Sequence, residues 1–130
     1  MRLLFAFLVL LFFALAYLIG SSPGVARGGR GGWSSTAASA YSAASTGSTR
    51  QGCPGAPPLR DSARSVATFL VACGARLRIC YAGRCVTASR TDSGPFTGGR
   101  GIDLNLGAVR ALGFSSCQAW GVRPVRWRRL

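Results

Sequence analysis

The sequence contains no histidine, no lysine and no glutamate, and its acidic side chains are Asp61, Asp92 and Asp103. Without histidine the chain lacks the commonest general base and the commonest metal ligand. That excludes Ser–His–Asp and Cys–His chemistry of the usual kind. Five cysteines without a Cys-x2-Cys pair argue against zinc, so no metal and no cofactor is expected. Length is limited too: 130 residues allow one domain, and a small one once the ends are set aside.

What the chain has in excess is arginine. Sixteen arginines against three aspartates give a formal net charge of +13. Such a charge keeps a protein soluble and draws it to polyanions. Outside a cell these are wall polymers, anionic lipid head groups and shed nucleic acid. A solvated basic surface with no dedicated partner accounts for the same charge.

Residues 1–20, MRLLFAFLVLLFFALAYLIG, join a basic start to an uncharged apolar run over residues 3–19. This is the pattern of a signal peptide or signal anchor. The remainder is expected to be exported, either secreted after cleavage or held at the membrane through residues 3–19. Residues 21–33 are rich in Gly, Ser and Arg, lack apolar periodicity, and read as a flexible linker. The folded domain is expected over residues 34–130.

Within that domain a weak strand is expected over residues 36–41. The apolar run VATFLVACG, residues 66–74, reads as a buried strand followed by a turn. Residues 76–89 read as a β-hairpin: Leu77 and Ile79 alternate with arginines, and Val86 follows a four-residue loop, Tyr81-Ala82-Gly83-Arg84. Cys80 and Cys85 flank the loop and are expected to form a disulfide in an oxidising compartment, with Cys53 and Cys73 as the second pair. Cys117 is left over, either free or competing within the second pair. Residues 122–127 alternate and should form the closing strand. Val125, Trp127 and Arg123 would share one face, and Arg126, Arg128 and Arg129 would make a basic, solvent-facing end.

The densest stretch is residues 91–113, TDSGPFTGGRGIDLNLGAVRALG. Asp92 and Asp103 stand at the ends of a Gly-rich turn that holds Gly94-Pro95, Gly98-Gly99 and Gly101. A short strand over residues 101–104 should lead into a helix. Asn105 would be its N-cap, Leu106, Val109 and Leu112 recur at helical spacing, and Gly113 would close it. Two carboxylates at the ends of one turn can face one cleft. Each also has a structural role open to it: Asp92 in an Asx-turn before Ser93, Asp103 accepting backbone N–H groups near Asn105. Arg90 and Arg100 flank the stretch and would hold the carboxylates ionised.

This stretch resembles the signature of the rare lipoprotein A family of double-psi β-barrels. Its members typically read D-R-G-P-F-x-x-G-R-x-I-D-L-S, followed by an Ala-rich helix and Leu-Gly. The resemblance is strong over residues 73–113. It implies an all-β fold: a six-stranded double-psi β-barrel from about residue 34 to residue 128 with one or two short helices, an architecture shared with expansins and barwin-like proteins. Ala38-Ser39-Ala40-Tyr41-Ser42 stands at the family's A-S-W-Y-G, keeping Tyr41 but replacing the aromatic Trp by Ala40. Thr68 stands where a histidine is usual, and Ser93 where an arginine is.

The resemblance implies an exported protein that acts on or binds peptidoglycan glycan strands. Asp92 and Asp103 would be the catalytic residues of a lytic transglycosylase, with Asp103 the acid, and Tyr41, Thr68, Arg90 and Arg100 would bind substrate. Such an enzyme needs one group to act as acid and then base, while the sugar's own hydroxyl closes an anhydro ring. The competing expectation is a non-catalytic, expansin-like wall-binding module whose aspartates only bind sugar and whose basic surface docks on wall polymer. Either way, the expected partner is peptidoglycan or another anionic cell-wall polymer rather than nucleic acid.

Overall fold

The computed structural model describes residues 32–130. The expected signal or anchor segment, including residues 3–19, and most of the expected linker lie outside the described residues.

Alternating apolar side chains build the fold. Leu77 and Ile79, Val86 and Ala88, Ile102 and Leu104, and Val125 and Trp127 all enter one core, where each is no more than 5% exposed. Six strands carry them: β1 (Ser34–Tyr41), β2 (Ser65–Thr68), β3 (Arg76–Tyr81), β4 (Arg84–Asp92), β5 (Arg100–Asn105) and β6 (Arg123–Arg129). They close into a barrel in the order β1-β5-β2-β4-β3-β6, the all-β architecture expected. Strands β1 and β5 pair parallel, as do β2 and β4, while the other four pairs are antiparallel. Closure leaves no free sheet edge. Every strand finds both neighbours within residues 34–129, and both disulfides close there, so the barrel and its cross-links are self-contained in this segment.

The hairpin is tighter than its sequence suggested. Pairing runs through Tyr81 and Arg84, leaving a two-residue turn in which Ala82 and Gly83 have φ of 46° and 80°. Positive φ at both positions matches the strand twist, and Gly83 takes its share without strain. Cys80 and Cys85 face each other directly and are joined, and Cys53 is joined to Cys73. Cys117 is free and half-buried.

The apolar run over residues 66–74 is a correction to the sequence reading. Its strand ends at Thr68, and Phe69 and Leu70 are 58% and 44% exposed. The tether from Cys73 to Cys53 and the turn at Gly74, whose N–H donates to the Arg90 carbonyl, draw the chain out of the barrel after Thr68.

Short helices plug the gaps between strands: α1 (Ala43–Thr46), α2 (Leu106–Ala111) and α3 (Cys117–Trp120). Asn105 caps α2 as expected. Its side-chain oxygen accepts the Leu106 N–H, and its Nδ2 donates to the carbonyls of Arg60 and Ala63. The loop therefore lies so close to α2 that a Cβ on Gly107 would collide with the backbone of Ser62 and Ala63. On α3, Trp120 is buried and its Nε1 donates to the Ala38 carbonyl at 2.9 Å. Arg123 stacks on Phe114 and Tyr81, with its Cζ 4.7 and 5.4 Å from the ring centres. Among the described residues, no helix is long and apolar enough to cross a membrane.

Candidate functional site

The register brings the two aspartates of the Gly-rich stretch together. Strand β2 lies between β5 and β4, and its Ala67 is the partner of both Asp103 on β5 and Asp92 on β4. On the other side of β5, Ser39 of β1 is the partner of Asp103. Because Val66, Ile102 and Leu104 point into the core, their neighbours Ala67 and Asp103 point outward. The carboxylates therefore belong to one outer surface, two strand spacings apart, or about 10 Å at the backbone. Only the small Ala67 side chain stands between them. The loop from Ser93 to Thr97 walls this surface into an open cleft of roughly 420 Å³, lined by Ser39, Tyr41, Ala67, Asp92, Phe96, Arg100 and Asp103 among others.

The two carboxylates are held differently. Asp92 Oδ1 accepts the backbone N–H of Gly52 at 2.6 Å and of the adjacent Ser93 at 2.8 Å, so it pins the Cys53 loop instead of closing the expected Asx-turn, whose donor would be the N–H two residues on. Asp103 does not cap α2, a task that falls to Asn105; instead its Oδ1 is buried without a hydrogen-bond partner. Burial pushes its carboxyl above the usual carboxylate range, while nearby Ser39 and Arg100 pull the other way. Burial likewise pushes the Tyr41 phenol well above its ordinary value, with Ser65 offsetting part of the rise and the two aspartates adding to it. Its hydroxyl also has no partner.

Of the site residues expected from sequence, Tyr41, Asp92, Arg100 and Asp103 meet in the cleft. Thr68 and Arg90 do not. Thr68 lies an even number of residues from Val66 and points inward. It is fully buried, its hydroxyl donating to the Gly101 carbonyl at 2.7 Å and accepting the Leu70 N–H. Arg90 holds the bend after β2 rather than a carboxylate. Its guanidinium donates to the Val71 carbonyl and to Ser93 Oγ and sits 5.9 Å from the Phe69 ring.

Sequence reasoning missed the aromatic pair beside the cleft. Phe96, 86% exposed, meets Phe69 edge to face with ring centres 5.6 Å apart. The available signal was an aromatic in a Gly/Pro turn, where nothing local can bury it. Among the described residues, no group of three or more His, Cys, Asp or Glu side chains is placed to hold a metal.

No family model and no curated protein matches the chain. Solved structures do. A Streptomyces papain inhibitor superposes with a TM-score of 0.59 at 18% identity, covering 78% of this chain and 96% of the inhibitor. The expansin of Clavibacter michiganensis superposes at 0.51 and 21% identity, and a point mutant of it in complex with cellohexaose at 0.55 and 23%. Each covers 76% of this chain, which spans only 50% of the expansin. At such identities the likeness carries the fold: a six-stranded double-psi β-barrel of the kind these proteins share.

Proposed function

We propose that the protein is an exported, non-catalytic polysaccharide-binding module of the cell wall, and that the cleft is its glycan site. The observation that carries this reading is the gathering of polar side chains, Asp92, Arg100 and Asp103, with an exposed aromatic, Phe96, along one open cleft. Sugars offer hydroxyls for the former and C–H faces for the latter. The barrel shared with an expansin in complex with cellohexaose supports the class of ligand. The barrel alone does not select it, since a papain inhibitor has one too. Two disulfides fit an oxidising, exported setting, with residues 3–19 as the export segment. Peptidoglycan glycan strands are the proposed physiological ligand.

A second reading, a peptidoglycan lytic transglycosylase, is favoured by one specific feature. Burial keeps the Asp103 carboxyl protonated to higher pH than usual, which suits a general acid. Against it, Thr68 occupies the family's histidine position and is consumed inside the barrel.

The test incubates residues 32–130 with purified peptidoglycan and with cellohexaose, measuring pull-down and searching by mass spectrometry for anhydro-ended fragments. Binding without fragments is expected. Fragments that disappear in Asp103→Asn would replace the binding module by the enzyme. Failure to bind either glycan would remove both readings.

A further inference from the structure

The arginines are not spread evenly. Around the closed barrel, β3 and β6 lie opposite β5 and β2, the strands at the centre of the cleft. Along β3, Leu77 and Ile79 point inward, so Arg76 and Arg78 point out; along β6, Val125 and Trp127 point inward, so Arg126 and Arg128 point out. The register sets Arg78 directly across from Arg128. Like charges facing each other across antiparallel strands repel, and neither strand contains an aspartate to offset them. The three aspartates are all elsewhere: Asp92 and Asp103 in the cleft, Asp61 accepting the Ala43 N–H. Trp33 lies over this face, with the Cζ atoms of Arg126 and Arg128 at 5.0 and 5.2 Å from a ring centre. Nε of Arg128 is buried and has no hydrogen-bond partner.

We propose that the outer face of β3 and β6 is a second binding site, independent of the cleft, for a linear phosphodiester polymer of the cell wall. Arginine's planar fork grips two phosphate oxygens at once, and every basic side chain of this face is arginine. Outward side chains recur about every 7 Å along a strand, and neighbouring strands lie about 5 Å apart. The result is a small lattice of guanidinium stems that a chain with one phosphate per short repeat can follow. Nucleic acid would answer the same charge, but single-strand binders add free aromatic faces for the bases. Here the aromatic on the face, Trp33, is already engaged by Arg126 and Arg128. The disulfides also fit the compartment where wall polymers are found.

The experiment titrates residues 32–130 with poly(glycerol phosphate) by calorimetry over a range of salt. The triple variant Arg76→Gln, Arg78→Gln, Arg126→Gln removes exposed side chains only. It should bind at least about tenfold more weakly and flatten the log–log salt slope by about 2. Arg60→Gln, Arg64→Gln, Arg110→Gln removes the same charge from exposed positions elsewhere and should cost less than about threefold. Replacing the first three by lysine keeps charge and fold but loses the fork, and should weaken binding several-fold. Asp92→Asn with Asp103→Asn should leave this binding intact, which separates it from the glycan reading. Equal losses in the two glutamine triples would overturn the site in favour of diffuse charge. Tighter binding of single-stranded DNA than of the polymer would reassign the face to nucleic acid. Tighter binding of phosphatidylglycerol vesicles would reassign it to membrane.

Discussion

The two sides of the barrel use the same inward pattern and end in opposite chemistry. On the cleft side, outward positions are small, acidic or aromatic, and loops fold over them: Ser39, Ala67 and Asp103 lie beneath the segment that carries Phe96. On the far side the outward positions are mostly arginine, Arg76, Arg78, Arg126 and Arg128 beside Cys80 and Pro124, with Trp33 as aromatic cover. Closure of the barrel constrains only the inward half of each strand, so the outward half is free to carry function. Each side also has its own cross-link. Cys53–Cys73 ties together the loops beside the cleft, whereas Cys80–Cys85 closes the hairpin of the basic side.

The largest expected effect comes from cutting those cross-links one at a time. Replacing Cys53 and Cys73 by alanine opens a loop with a sequence separation of 20 residues, a loss of about 3 kcal/mol by chain entropy. The same change at Cys80 and Cys85, separated by 5 residues, should cost about 2 kcal/mol. Urea unfolding measures both. Only the first pair should weaken glycan binding, because Asp92 holds the Cys53 loop through the Gly52 N–H. If loss of the hairpin disulfide abolished glycan binding equally, the two sides would not be independent. A smaller effect is expected from Phe96→Ala. With the ring 86% exposed, the melting temperature should stay at the wild-type value. Loss of one stacking contact should weaken glycan binding about threefold to tenfold, while polyanion binding stays unchanged. A stability loss with no change in glycan affinity would make Phe96 a packing residue of the Phe69 bend.

Much of the barrel was legible because its signals are local. The alternation of Leu77, Ile79, Val125 and Trp127 declared β3 and β6, and Asn105 announced the start of α2. The approach of Asp92 to Asp103 was only an inference from a Gly-rich turn; what brings them together is long-range pairing of β2 with both β4 and β5. That register cannot be read from either strand alone. Thr68 shows the opposite failure. An aligned position suggested a site residue, but the strand's period of two turned it into the barrel. The short helix α3 had a readable cap in Ser116, yet its anchor is the bond from Trp120 to Ala38, far away in sequence. The alternation already put Arg126 and Arg128 at a solvent-facing end, but that Arg76 and Arg78 lie beside them became visible only once β3 and β6 were paired.

The finest distinction between the two sides is pH. Burial raises the Asp103 carboxyl above its unfolded value, so the folded chain holds that proton more tightly than the unfolded one. Its stabilising contribution is therefore full below the unfolded value, about 3.9, and is lost as pH rises through the folded one. Asp103→Asn removes the ionisation and should melt higher than wild type at pH 7, with the gap closing as pH falls toward 4. Arg78→Gln, on the far side, relieves repulsion from Arg128 and should gain roughly 0.2–1 kcal/mol at either pH, since no carboxylate faces it across β3 and β6. A gap for Asp103→Asn that stayed constant with pH would mean an unshifted carboxyl, and a variant that fell below wild type as pH rose toward 7 would mean that the folded protein stabilises the ionised carboxylate. Asp103 would then be a charged ligand for sugar or for Arg100, and a general acid at that position would be untenable.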